Sequence, residues 1–259
     1  MEKTKKHKHR LFATLILLAS IIIIAIIVFF IYVSIYNHGT ERAVSYLNDS
    51  TLTKVTDTND YVTFQPKKYL DENKTNEKSN DNKGIIFYPG GKVEYKAYAP
   101  ILRDVADSGV SVILCKVPFN LAVLNYKVAD NKQSLFNYVG KWYMAGHSLG
   151  GAMASKYLEK NYNDYSGLIL MGAYSSIDLS KTNLSILSIL ASEDKVINKT
   201  NYENNKKYLS TDFTEKTIQG GIHSYFGDYG IQSGDGTPSI TVEEQNSQVA
   251  SLISEFVNK

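Results

Sequence analysis

The stretch Trp142-Tyr-Met-Ala-Gly-His-Ser148-Leu-Gly-Gly-Ala-Met-Ala154 carries the strongest structural signal in this chain of 259 residues. It reads as an apolar strand, a Gly-x-Ser-x-Gly turn over residues 146–150, and a helix that opens with small residues. Such a turn projects the serine hydroxyl outwards under strain, and its glycines let strand and helix approach closely. The helix N-terminus adds N–H groups and positive potential for a developing oxyanion. The pattern therefore predicts that Ser148 is a nucleophile.

Apolar runs and helical stretches alternate around this turn, from residue 84 to residue 259. Continuously apolar strands that alternate with helices are typical of a mostly parallel sheet covered on both faces. The sequence therefore predicts a doubly wound α/β fold. The predicted strands are 84–88, 110–117, 142–145, 167–171, 184–191 and 213–218, and the predicted helices are 95–106, 128–138, 152–161, 201–209 and 242–257.

Residues 37–83 form a separate segment before this core. We expect a short helix over 41–47 and strands over 52–55 and 61–65. Residues 71–83 contain no apolar residue and predict a solvated loop. The single cysteine, Cys115, cannot form an internal disulfide, and its apolar surroundings predict a buried strand in which it acts as a small hydrophobe.

The N-terminal region has the pattern of a membrane anchor. Residues 1–10 hold five basic residues and one acid, and residues 11–36 contain no charge. A helix over 11–36 is roughly 39 Å long, which exceeds the ~30 Å hydrocarbon core of a bilayer. The run is too long for a cleaved signal peptide, and no small-x-small cleavage site follows it. The expectation is an uncleaved signal anchor in the cell membrane, with a cytoplasmic tail over 1–10 and residues 37–259 outside the cytoplasm.

Charge and composition argue against nucleic acid and metal as partners. Without residues 1–10 the basic and acidic residues number 23 against 25, so the folded part is nearly neutral and nothing indicates a nucleic-acid surface. The folded part has no cysteine cluster and no His-x-x-x-His pair. No metal and no cofactor are predicted.

Five motifs in the second part of the chain stand out. They are Tyr88-Pro-Gly-Gly91, Lys116-Val-Pro-Phe-Asn-Leu-Ala122, Gly146-His-Ser-Leu-Gly-Gly-Ala-Met153, Ser192-Glu-Asp194 and Gly220-Gly-Ile-His-Ser-Tyr-Phe-Gly-Asp-Tyr-Gly230. Together they resemble the α/β-hydrolase superfamily, and closely its small bacterial "fold-5" branch, which is related to the dienelactone hydrolases. The resemblance covers residues 84–259, about two thirds of the chain. It implies a catalytic core over 84–259 and implies that Lys116 and Phe119 line a substrate pocket.

A serine nucleophile needs a base, and the chain has five histidines. His7 and His9 lie in the predicted cytoplasmic tail, and His38 lies at the membrane edge. His147 is inside the turn, where the local geometry is expected to point it away from the serine hydroxyl. His223 follows the last predicted strand in a glycine-rich loop, so it can reach the carboxyl edge of the sheet. We therefore expect His223 to be the base.

The acid that orients the base should lie between the serine and the histidine in chain order. Asp194 directly follows a predicted strand, and Asp178, which follows the preceding strand, is the alternative. Glu193 is expected to be solvated. Asp228 and Asp235 come after the histidine and are expected to shape its loop.

An oxyanion hole needs N–H groups from the residue after the nucleophile and from the loop after the first core strand. The first of these is Leu149. In the loop, Pro89 has no N–H, so Gly91 is the first candidate and Gly90 the second.

Only residues 172–183 separate the strand that ends at Met171 from the next, which is too short for a cap domain. The sequence therefore predicts a shallow, open site in a membrane-tethered serine hydrolase, which acts on a small-molecule ester or related acyl bond. Two alternatives remain open. One is an acyltransferase with the same residues, and the other is a catalytically silent domain that binds a cell-envelope ligand.

Overall fold

The computed structural model describes residues 2–70 and 78–259. The chain forms two compact units, which meet in sequence between Tyr36 and Asn37. The first unit consists of helix α1, Glu2–Ser34. Its apolar part, Leu11–Ser34, has a mean hydropathy of 3.3 and is long enough to cross a membrane. The predicted N-terminal apolar helix is therefore present.

The second unit is built on one eight-stranded sheet in the order β1-β2-β4-β3-β5-β6-β7-β8. The pairs β1/β2 and β2/β4 are antiparallel, and all the others are parallel. The predicted mostly parallel sheet is confirmed. The strands are β1 Thr53–Asp57, β2 Tyr61–Pro66, β3 Ser79–Tyr88, β4 Ser111–Cys115, β5 Val139–His147, β6 Gly167–Met171, β7 Ser185–Ala191 and β8 Phe213–Ile218.

Helices cover both faces of this sheet, because successive strand residues point to opposite sides. On one face, Ile85 and Phe87 of β3 belong to a first hydrophobic core. On the other face, Ile86 and Tyr88 belong to a second hydrophobic core. The helices of the second unit are α2 Glu41–Ser45, α3 Ala99–Asp107, α4 Leu149–Asn161, α5 Lys199–Asn205 and α6 Val242–Val257. Helices α3 and α6 contribute to the first core, and α4 contributes to the second.

The predicted helix over 128–138 is wrong. The structure has turns there and one short 3-10 segment, Lys132–Leu135, which follows a left-handed Asn131 with φ 61°. Asp, Asn and Ser side chains favour turns over helix interiors, since they bond to nearby backbone groups. Phe136 and Tyr138 belong to the second core although they are not in a helix.

The predicted loop over 71–83 is wrong in its second part. Residues 79–83 form the start of β3, in which Ser79 pairs with Val139 and Lys83 with Lys141. Backbone hydrogen bonds with β5 hold this polar extension, so it needs no apolar face. Residues 71–77 lie outside the described part of the chain.

Cys115 ends β4 and is buried, as predicted. Burial raises the pKa of its thiol to about 12, so the group is protonated and unreactive at neutral pH.

The carboxyl ends of the parallel strands meet at one edge of the sheet. The connection between β6 and β7, residues 172–184, contains no helix or strand, so nothing from this connection forms a cap over the edge. The fold is thus the predicted α/β type without a cap domain.

Candidate active site

Ser148 occupies the sharp turn between β5 and α4, with φ 51° and ψ −122°. This backbone conformation is unfavourable for a residue with a side chain and is typical of functional sites. The turn closes only because its flanking glycines lack a Cβ atom. A Cβ on Gly146 would lie 2.5 Å from the Gly150 carbonyl carbon. A Cβ on Gly150 would lie 2.3 Å from the backbone carbonyl oxygen of Tyr88.

His223 and Asp194 form a buried hydrogen-bonded pair in the loops after β8 and β7. His223 Nδ1 lies 2.7 Å from Asp194 Oδ2, and both side chains are almost fully inaccessible to solvent. The other carboxylate oxygen, Oδ1, accepts hydrogen bonds from the backbone N–H groups of Val196 and Ile197, at 2.8 and 2.9 Å. The carboxylate is thus fixed by three donors, and it holds the imidazole in one orientation.

Two other acids between Ser148 and His223 in sequence, Asp178 and Glu193, were considered for the orienting role, and both form hydrogen bonds elsewhere. Asp178 is exposed, and its carboxylate accepts hydrogen bonds from the N–H and hydroxyl of Ser180, which lower its pKa. Glu193 is exposed and accepts a hydrogen bond from the Ser192 hydroxyl. Among the described contacts, neither carboxylate touches His223.

The acids after the histidine hold its loop in place. Asp235 accepts hydrogen bonds from the backbone N–H groups of His223 and Ser224, and from the Ser224 hydroxyl. Asp228 accepts a 2.8 Å hydrogen bond from Arg42.

Ser148 and His223 line a common cleft of about 440 Å³. Within the described part of the chain, no hydrogen bond joins the Ser148 hydroxyl to His223. The other lining residues come mainly from α4 and from the connections after β6 and β7. They are Leu149, Ala152, Gly172, Ala173, Tyr174, Ser176, Val196, Ile197 and Asn198.

Two backbone donors are available beside this cleft. The N–H groups of Leu149 and Gly91 donate no hydrogen bond to any residue that the structure describes. The two residues are in contact, since a Cβ on Gly91 would lie 2.8 Å from Leu149 Cδ2. Gly90, the second candidate, donates its N–H to the Tyr98 hydroxyl at 2.9 Å. It is therefore occupied in this structure.

The comparison with known proteins agrees with this geometry. A family model described as the alpha/beta hydrolase family matches residues 84–247. The chain belongs to the α/β-hydrolase family. The predicted enzyme class, a hydrolase, is thereby confirmed, and so is the resemblance to this superfamily.

Solved structures similar to this hydrolase include esterases, although their low identity shows the fold alone. Carboxyl esterase 2 from Tuber melanosporum has a TM-score of 0.55 at 12% identity, with 86% of this chain and 90% of that chain covered. The Pyrobaculum calidifontis esterase has a TM-score of 0.53 at 15% identity, covering 84% and 90%. Est1E from Butyrivibrio proteoclasticus with bound ferulic acid has a TM-score of 0.53 at 12% identity, covering 82% and 98%. No curated protein sequence matches the chain.

The hydrolase also contains a buried pair that sequence reasoning missed. The Tyr98 hydroxyl, which accepts the Gly90 N–H, lies 2.9 Å from His147 Nδ1. Burial, together with the nearby His223, holds the pKa of His147 well below its usual value. The neutral His147 ring lies 4.5 Å from the His223 ring, measured between centroids. No sequence signal links Tyr98 to His147, because their contact depends on how α3 approaches the sheet.

The hydrolase places Lys116 and Phe119 outside the lining of the cleft, contrary to the expectation from the resemblance. Lys116 Nζ lies 2.6 Å from the Asp57 carboxylate and above the Tyr95 ring. Phe119 is half exposed in a left-handed conformation with φ 53°. The antiparallel strands β1 and β2 bring Asp57 beside Lys116, and this long-range contact is not readable from the sequence. Tyr174 and Val196 line the cleft instead. Each follows shortly after the end of a strand, and this position was the sequence signal that could have identified them as lining residues.

Proposed function

We propose that this protein is a serine hydrolase that cleaves a carboxylic ester or a related acyl bond. The observation that carries the proposal is the buried 2.7 Å contact between Asp194 and His223, beside a cleft that the strained Ser148 also lines. A nucleophile, a base and an acid that orients the base are the components of covalent acyl transfer.

In the proposed mechanism the Ser148 oxygen attacks the substrate carbonyl, and His223 Nε2 takes the hydroxyl proton. Asp194 stabilises the imidazolium that forms, and the N–H groups of Leu149 and Gly91 bind the oxyanion. The C–O bond to the alcohol then breaks, and the alcohol leaves with the proton from His223. Water repeats the sequence on the acyl-enzyme, which releases the acid and restores Ser148.

The cleft supports an ester of moderate size. Its volume of about 440 Å³ lies within the range of small-molecule sites. Leu149, Val196 and Ile197 give it an apolar lining, which suits an acyl chain or an aromatic ring. The likeness to solved esterases, one of them with bound ferulic acid, also supports a carboxylic ester.

We further propose that Leu11–Ser34 anchors the hydrolase in the cell membrane. The basic residues before this span favour a cytoplasmic N-terminus. The catalytic unit from Asn37 onwards then lies outside the cytoplasm.

The nucleophile can be tested with a fluorophosphonate probe on the purified full-length chain. Ser148→Ala should abolish both labelling and ester turnover, because it removes the attacking oxygen. The matched control is Ser176→Ala, since Ser176 lines the same cleft without a proposed role in the reaction. The control should label and turn over like the parent. Labelling that persists in Ser148→Ala would rule out this nucleophile, and a parent chain that never labels would favour the ligand-binding alternative.

A further inference from the structure

Three backbone segments are hydrogen-bonded side by side at the edge of the sheet that holds the cleft. The N–H of Asn37, the first residue of the catalytic unit, donates to the Lys92 oxygen at 2.8 Å. The Lys92 N–H in turn donates to the Asn120 oxygen, also at 2.8 Å. Lys92 directly follows Gly91, the proposed oxyanion donor. The chain therefore enters the catalytic unit beside the active site.

The link between the apolar helix and this point is short. Helix α1 ends at Ser34, so only Ile35 and Tyr36 precede Asn37. Three extended residues span at most about 11 Å. A membrane-embedded α1 therefore keeps Asn37, and the sheet edge that contains it, close to the bilayer surface.

The loop that pairs with Lys92 is apolar and partly exposed. Residues 117–126 contain no charged side chain. Val123 is 52% exposed and Leu124 47% exposed, although both lie in a loop whose neighbours Leu121 and Ala122 are buried. Exposed apolar side chains grouped in one loop indicate an interaction surface more strongly than isolated ones do.

Carboxylates near this edge carry their own counter-ions. Glu94 Oε1 lies 2.9 Å from Lys96 Nζ, and the Asp57 carboxylate lies 2.6 Å from Lys116 Nζ. Two of the carboxylates at this edge are thus neutralised beside its apolar side chains, which is compatible with lipid headgroups.

We propose that Val123 and Leu124 dock on the surface of the bilayer that holds the anchor. The cleft then opens towards that surface, and the substrate is an ester presented there, such as an amphipathic lipid ester, rather than one dissolved in bulk water. The docking rests on the membrane anchoring proposed above, and the substrate class rests on the proposed hydrolase activity.

Docking can be measured without catalysis. Leu124→Cys and, as a control, Leu52→Cys each carry an environment-sensitive fluorophore on the full-length chain in phosphatidylcholine vesicles. Leu52 is 57% exposed and precedes β1 at the opposite edge of the sheet. The native Cys115 is buried and its thiol stays protonated, so only the introduced cysteine reacts.

Spin-labelled phosphatidylcholine should quench the fluorophore at position 124 and leave the one at position 52 unaffected. Equal quenching at both positions, or stronger quenching at 52, would overturn the docking. The position-124 fluorophore is also measured in detergent micelles at low and at high protein concentration. If it becomes shielded from solvent only at high concentration, and to the same extent as in vesicles, a second copy of the protein covers this loop and the docking is overturned. Failure of the chain to float with vesicles would overturn both the anchoring and the docking.

A second measurement tests the substrate class. The double variant Val123→Ser/Leu124→Ser should lower turnover of a vesicle-embedded lipid ester about tenfold, which corresponds to ~1.4 kcal/mol. Turnover of a short water-soluble ester should stay unchanged, because the substitutions lie outside the cleft lining. An equal loss of turnover on both esters would overturn the proposal that the substrate is presented at the membrane surface. If the parent protein turns over neither ester, the proposed hydrolase activity itself is wrong.

Discussion

Replacing Asp194 by asparagine should disable the base while preserving the shape of the site. The Oδ1 position accepts two backbone N–H groups, from Val196 and Ile197, and the Oδ2 position faces His223 Nδ1. An asparagine has one oxygen and one NH₂ group. The oxygen should take the Oδ1 position, because the reverse orientation would set the NH₂ against two donors instead of one.

The NH₂ group of the variant then faces His223 Nδ1 and can only donate to it. The histidine must present a bare Nδ1 and carry its proton on Nε2, where it cannot accept the proton of Ser148. The same change of tautomer lowers kcat about 10⁴-fold in the best-studied triad, which is roughly 5.5 kcal/mol of barrier. Glu193 is exposed and bonded to Ser192, so it offers no replacement. We therefore expect a loss of about 10³- to 10⁴-fold.

The assay is kcat on p-nitrophenyl acetate, with the melting temperature recorded in parallel. Asp178→Asn is the matched control, since Asp178 is exposed and bonds only to Ser180 among the described residues. It should change kcat by less than about threefold, within 1 kcal/mol of barrier. An Asp194→Asn enzyme that retains more than about a tenth of the parent's turnover would refute the tautomer reasoning. A large loss of turnover in Asp178→Asn would instead assign the orienting acid to Asp178, in the connection before β7.

Two further outcomes are expected. Protease added to intact cells should digest the unit that begins at Asn37, because the basic residues before Leu11 favour a cytoplasmic N-terminus; full protection of that unit would contradict the orientation. Tyr98→Phe should lower kcat by roughly tenfold with KM unchanged, because Gly90 and His147 lose the hydroxyl that they share. This is a part of the roughly 10²- to 10³-fold loss in kcat that follows removal of a whole oxyanion donor. A Tyr98→Phe enzyme with lower stability and unchanged kcat would assign the hydroxyl to folding alone.

Local patterns were enough to predict the parallel sheet and the turn around Ser148. The turn depends on contacts between residues close in sequence, such as the glycines on either side of the serine. The sheet pairs strands that are far apart in sequence, but each strand has its own apolar run between helical stretches, and that alternation predicts parallel pairing. The helix expected over 128–138 failed for the opposite reason. Its apolar residues are buried by packing against distant strands, and the left-handed Asn131 breaks the helix.

The proximity of Asp194 and His223 was predictable because parallel strands end at a common edge. The surroundings of the pair were not. The contact of Lys116 with Asp57 depends on how β2 pairs with β4, and the contact of Tyr98 with His147 depends on how α3 packs. These long-range contacts leave no periodicity or motif in the sequence.

The short connection over residues 172–184 bears on how such an enzyme could evolve. It contains no helix or strand, and it contributes Tyr174 and Ser176 to the cleft wall between two buried residues, Ala173 and Leu179, that anchor it in the second core. Doubling the length of a flexible surface loop costs only about 0.6 kcal/mol in closure entropy. Insertions at this point could therefore reshape substrate preference while the buried Asp194–His223 pair and the sheet beneath it stay unchanged, so new specificity could arise here without a loss of catalysis along the way.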